Sequence, residues 1–259
     1  MIRRIALAVA LPVVLVAAWW FASAGSTDFY FPPLKRILEV FPETWFGPRM
    51  VDDVLPSLAR LGIGYAAALV AGIGLGMLIG ANRTLRAVVE PLLEFLRAVP
   101  PPVLVPILML MAGIGDLMKV LVILSGCLWP ILLNTVEGVR AVDEVLKDTC
   151  RSYKIRGRLR LLHLTVRSAS PQIVAGARQA LSIGIILMVI SEMFAASSGI
   201  GFTVIQFKDG FRIPQMWSGV LLLGLLGVLL AWAFRLVERR VLGWYLGMRA
   251  GIQGVRKER

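Results

Sequence analysis

Six stretches of this chain are too apolar, and too nearly free of charge, to be anything but membrane-crossing or deeply buried helix. A helix needs about 20 predominantly apolar residues to cross roughly 30 Å of hydrocarbon. The runs Ile5–Ala24, Leu61–Asn82, Ala98–Gly115 and Ile213–Phe234 come close to or meet that length, and Val120–Val136 falls slightly short, ending at Glu137. Between Arg178 and Glu192 only thirteen residues are uncharged, so the remaining span is expected to start at Pro171, a favoured first helical residue, and to continue to Phe194. The first run also carries Arg3, Arg4 and Ala22-Ser23-Ala24, features of a secretory leader, but its length favours a retained anchor helix. Hydrophobic residues at 58% and charged residues at 17% agree with a chain that meets lipid.

The net charge of +12 is a matter of topology rather than of nucleic-acid binding. With the N-terminus in the cytoplasm, twenty Lys and Arg residues fall on the inner side and six on the outer, leaving Arg60 and Arg178 at or within spans. The expected architecture is therefore all-α and polytopic, with six transmembrane helices and both termini cytoplasmic. Three parts follow: residues 1–54 as anchor helix and outer loop, 55–245 as the core, and 246–259 as a basic tail. His163 is the single histidine, and Cys127 and Cys150 lie far apart, so no metal centre, disulfide framework or cofactor is expected.

Helices in lipid associate through close approach at small residues. Gly64, Ala68, Gly72, Gly76 and Gly80 recur every fourth position and form one smooth ridge on the second span. Gly176, Ala180 and Gly184 repeat the device on the fifth. Gly72-Ile73-Gly74-Leu75-Gly76 has no strand before it and lies mid-span, so it is not a nucleotide loop. Pro100-Pro101-Pro102 and Pro106 make the third span start abruptly or bend. Charges inside spans are costly and are usually paired or functional. Arg60 and Glu192 both fall at outer helix ends, where they can pair structurally or serve a pathway; Arg178 is expected to reach toward the headgroups. These few charges form no nucleophile–base pair for a membrane-embedded enzyme. An ion-coupled secondary transporter, the alternative reading, would have only Glu192 to draw on.

The loop from Arg140 to Ser170 is too polar to span and reads as helix, turn, helix: Val142–Tyr153, then Lys154–Gly157, then Arg158–Arg167. Such an element can dock a soluble partner or lie on anionic lipid.

Four segments in order carry a resemblance. They are Leu96-Arg97-Ala98-Val99-Pro100-Pro101 with Gly113-Ile114-Gly115, Trp129–Thr135, Gly138–Asp143, and Ser191-Glu192-Met193-Phe194 running on to Gly199-Ile200-Gly201. From about Leu55 to Trp244 the chain resembles the permeases of binding-protein-dependent ABC importers, in the branch that handles nitrate, taurine, alkanesulfonate and bicarbonate. The resemblance implies a type I importer permease in a bacterial inner membrane, forming the path of a small solute. Its implied partners are ABC ATPase subunits, an extracytoplasmic substrate-binding protein, a second permease copy or a related permease, and membrane lipid. In that family a Glu-Ala-Ala…Gly loop docks into the ATPase. Here Asp148, Thr149 and Cys150 stand at the first positions and Lys154 at the glycine. Pro171, Ile173 and Gly176 match the motif's end, while Arg167 replaces an earlier proline. The docking residues implied are Asp148, Thr149, Cys150, Tyr153, Lys154 and Gly157, with Gly157 expected to take over the turn. No GxxxxGK[ST] phosphate loop occurs, so ATP hydrolysis is expected in a separate subunit and none in this chain.

Overall fold

The computed structural model describes residues 2–194, 196–245 and 247–248. Most of the expected tail 246–259 therefore lies outside the described residues. Among them every regular element is helical. The helices are α1 (Ile2–Ser23), α2 (Leu34–Trp45), α3 (Leu55–Ala81), α4 (Arg83–Arg97), α5 (Leu104–Ala112), α6 (Asp116–Arg140), α7 (Glu144–Ser152), α8 (Gly157–Arg160), α9 (Arg167–Met193), α10 (Ile200–Asp209) and α11 (Ile213–Val241). π-helical turns at Met50–Val54 and Leu161–Val166 lead into α3 and join α8 to α9.

Four stretches are long and apolar enough to cross a membrane: Met50–Ala81, Asp116–Arg140, Gly157–Met193 and Ile213–Val241. A bent pair, Arg83–Arg97 with Pro101–Ala112, has the length and apolarity of a fifth only when its two helices are taken together across a 73° break, as a broken span or a re-entrant loop. α1 is helical over 22 residues, with the described apolar part Ala10–Ser23.

Three sequence expectations change. The third span is not one helix over Ala98–Gly115. α5 has nine residues, which at 1.5 Å each is about 14 Å and too short to cross. Pro100 is extended, and Pro101 and Pro102 open a 3-10 turn, because proline cannot donate to the preceding turn. Second, the helix expected from Pro171 begins at Gly157, so Arg158–Arg167 runs without a break into the fifth span rather than forming a separate loop helix. Third, Arg178 does not extend to headgroups alone but forms an ion pair with Glu238 of α11.

The chain divides into two compact units, and the division falls within α3 and α11. In the first (1–58 with 195–226), Trp45 is fully buried and donates its indole N–H to Ser218 Oγ at 2.9 Å. The buried Asp53 and Ser57 accept from the backbone N–H groups of Gly199 and Ile200 at 3.0 and 2.9 Å. They thus cap the start of α10 with a negative charge, where the helix dipole favours one.

The second unit (59–194 with 227–259) is built on α6. The α3 ridge meets α6 in constant register, Gly64 on Ile123, Gly72 on Ile131, Gly76 on Thr135 and Gly80 on Val139, so α3 and α6 run parallel. A methyl at Gly76 would stand 2.6 Å from Thr135 Cβ, and one at Gly176 2.5 Å from the Pro130 carbonyl oxygen. Ala68 and Ala180 are fully buried, and Gly184 touches Cys127 and Leu61. Gly126 and Gly138 of α6 accept Leu187 and Ala169 of the antiparallel α9, two close approaches that sequence spacing did not single out. α4 lays Leu85, Val89 and Leu93 on the core formed by Ile79, Leu132 and Val136, and Asn82 caps it by accepting from Thr84 and Leu85 N–H.

Candidate functional site

Two groups of polar residues in the second unit stand out against its apolar helices. The first joins α3, α6 and α9. Arg60 Nη1 donates to Glu192 Oε1 at 2.8 Å, and Arg60 Nε donates to Asp116 Oδ1 at 2.8 Å. Lys119 Nζ lies 3.7 Å from the same Asp116 oxygen. Glu192 is 0% exposed, Lys119 3% and Arg60 5%, whereas the Asp116 side chain is 71% exposed. Among the described residues the cluster brings together two cations and two carboxylates, with Asp116 at the solvent side. Asp116 is the first residue of α6, where the unsatisfied N–H groups favour a carboxylate. Arg60 and Glu192 are legible as a pair in the sequence; Asp116 and Lys119 lie outside the spans expected there. Their i,i+3 spacing at a helix start was the available signal.

The second group is α7 and its turn. Asp143 caps α7 by accepting from Val145 N–H at 2.7 Å. Glu144–Lys147 and Asp148–Arg151 pairs follow the helix at 2.9 Å each. The hydrogen bond from Lys147 holds the Glu144 carboxyl below its usual range. The helix closes with Tyr153 N–H on Thr149 O, Lys154 N–H on Arg151 O and Ile155 N–H on Cys150 O. That last bond, spanning a full turn and more, marks a Schellman-type cap whose residue beyond the helix is left-handed. Lys154 has φ 55°, so it holds the glycine conformation at the glycine position of the related loop. Gly157 has φ 60° and does not replace Lys154; the turn contains both. Asp148, Thr149 and Tyr153 are exposed, Cys150 is half-buried, and the apolar Val145, Leu146 and Ile155 are also exposed.

Residues 69–243 match the family described as the binding-protein-dependent transport system inner membrane component. The chain belongs to that family. As a permease it is 26% identical to the taurine transport system permease protein TauC of Escherichia coli over 94% of this chain and 91% of that one. It is 26% identical to the nitrate import permease protein NrtB of Synechocystis over 86% and 84% of the two chains. Against the bicarbonate transport system permease protein CmpB of Synechococcus elongatus the identity is 30%, over 73% and 70%. The permease fold is also that of a solved structure of the inward-facing MetNI methionine ABC transporter, with TM-score 0.62, 20% identity, and 73% of this chain and 94% of that one covered. The permease is thus a multi-pass membrane component of an ATP-driven importer for a small solute.

Proposed function

We propose that this permease forms one side of a solute pathway in a bacterial inner membrane and that α7, with the turn to Gly157, docks the ATPase subunit. A second permease, identical or related, supplies the other side of the path, and a binding protein delivers solute at the opposite face. Exposed apolar side chains such as Val228, Leu229 and Trp232 of α11 meet lipid. The observation that carries the docking assignment is α7 itself. It is a short polar helix, capped at both ends, that presents exposed Val145 and Tyr153 at 71% and 77% accessibility. Isolated helices of nine residues are unstable in water, so the caps and a partner surface are what keep such a helix in place.

A cysteine substituted for Tyr153 tests this. It is expected to crosslink to the ATPase subunit and not to the binding protein. Labelling of that cysteine by a membrane-impermeant reagent from outside intact cells would invert the topology and end the docking assignment.

A further inference from the structure

The ends of α3, α4 and α6, together with α7 and the start of the Gly157–Met193 helix, enclose an open cleft of about 710 Å³. Six basic residues line it, Arg83, Arg86, Arg140, Lys147, Arg151 and Arg160, against one acid, Glu144. Three of the six are already committed: Arg140 to Glu137 at 3.2 Å, Lys147 to Glu144 at 2.9 Å and Arg151 to Asp148 at 2.9 Å. Arg83, Arg86 and Arg160 have no ion-pair partner among the described residues. The wall between them is apolar, with Val142, Leu161 and Leu164. Leu161 and Leu164 belong to the π turn and line the cleft together with Thr165.

Of the residues assigned to docking, the cleft is lined by Gly157 alone. α7 gives it Glu144, Lys147 and Arg151, the i, i+3, i+7 stripe, while Val145, Asp148 and Tyr153 do not line it and are exposed. A partner can therefore occupy one face of α7 while a small ligand occupies the other.

We propose that this cleft binds a phosphate-bearing anion, held by Arg83, Arg86 and Arg160. Three guanidiniums without an ion pair line one concavity, where only Arg83 feels the one lining acid, Glu144, itself bonded to Lys147. A phosphate supplies oxygens that each can grip through two parallel N–H groups. The apolar wall at the ends of the spanning helices suits the glycerol region of an anionic phospholipid, and the open mouth admits a soluble phosphate compound. Either would tie α4 and the start of the Gly157–Met193 helix to the inner face of α7. Its effect on coupling, though not the binding itself, rests on α7 being the ATPase-docking element.

Binding is measured on the full-length permease in nanodiscs, with phosphatidylglycerol titrated into phosphatidylcholine in one arm. In the other arm, inorganic pyrophosphate is added to pure phosphatidylcholine discs. Saturable binding in the first arm identifies the lipid headgroup as the source, and in the second a soluble anion. Arg83→Gln, Arg86→Gln and Arg160→Gln are each expected to weaken that binding about fivefold, the equivalent of about 1 kcal/mol per basic residue. Arg156→Gln removes the same charge from the same loop outside the cleft and should leave it unchanged. Arg83→Lys, which keeps charge but loses the fork, should fall between. No saturable binding in either arm overturns the proposal, as does a loss for Arg156→Gln equal to that for Arg83→Gln. So does complete exclusion of the anion by the docked ATPase, which would make the cleft part of the docking surface. The Tyr153 crosslink does not depend on these arginines, so failure here leaves the docking assignment standing.

Discussion

At the residue scale the buried arginine is the most consequential side chain. Arg60 holds Glu192 in a site with no solvent exposure and Asp116 at its rim. Removing one member of a buried pair leaves an uncompensated charge and costs about 3–5 kcal/mol, whereas replacing both with apolar groups is often neutral. Glu192→Ala is therefore expected to lower the thermal stability of the purified permease sharply, and Arg60→Met with Glu192→Leu to recover most of it. A double variant as unstable as the single one would show that the pair is not the source of the loss. If the double variant is stable yet transports nothing, the charges serve the pathway as well as the packing. Lys154 is a second residue with a definite expectation. A non-glycine residue in the left-handed region is strained by about 1–2 kcal/mol. Lys154→Gly should therefore raise the stability of the α7 turn, measured as slower amide exchange at Tyr153–Ile155; faster exchange there would contradict it. The departure from the family glycine is thus a change of side chain with the backbone conformation kept. The sequence alone could not show this, because propensity places the turn on Gly157 and only the closing bonds place it on Lys154.

At the element scale the glycine ridge separates packing from composition. Gly72, Gly76 and Gly80 face α6 at distances where an added methyl meets Ile131, Thr135 or Val139, but a methyl at Gly74 meets nothing within 4 Å. Gly76→Ala is expected to destabilise by about 1–3 kcal/mol, the range for overpacking, because its neighbours include the Leu132 carbonyl, which cannot rotate away. Gly74→Ala should be neutral or slightly stabilising, since alanine is the better helix former. Equal effects of the two, read by thermal unfolding in detergent, would remove the ridge from the α3–α6 contact. The ridge was legible because a period of four survives in any straight helix. α4 was not: Arg83, Arg86, Glu90 and Pro91 interrupt its apolar pattern, although Asn82 followed by Leu85, Val89 and Leu93 is a cap-and-stripe signature. The start of the fifth span was hidden for a related reason. Its first two turns are basic, and Pro171 reads as a helix start although the helix passes through it after a π turn. Arg167, within that basic part, stacks its guanidinium 5.2 Å over the Trp244 ring, which no linear pattern reveals.

At the scale of the whole molecule, what happens on one face of the membrane must alter ATP hydrolysis on the other, in a chain that has no phosphate loop of its own. The purified permease alone is accordingly expected to show no ATP hydrolysis. ATP turnover by the isolated chain would be incompatible with that division of labour. A single helix spans the distance such coupling would have to cover. Gly157–Met193 is one helix of 37 residues, about 55 Å long at 1.5 Å per residue. Glu192, in the ion cluster, stands at one end, and Gly157, beside α7, at the other. On this proposal a shift of α9 at the cluster would reach α7 through four turn residues, Tyr153–Arg156, flanked by the left-handed Gly157 and including the left-handed Lys154. Gly157 has open space around its Cα, so its constraint is the backbone angle alone, and a β-branched residue resists φ 60°. Gly157→Val is expected to leave the fold and assembly with the ATPase intact while re-aiming α7. The assembled complex should then hydrolyse ATP at a rate that loaded binding protein no longer stimulates. The check is ATPase activity of the reconstituted complex with and without binding protein, alongside co-purification of the subunits. Normal stimulation would show that α9 does not drive α7 through this turn, and loss of co-purification would show that Gly157 acts in assembly instead of in signalling.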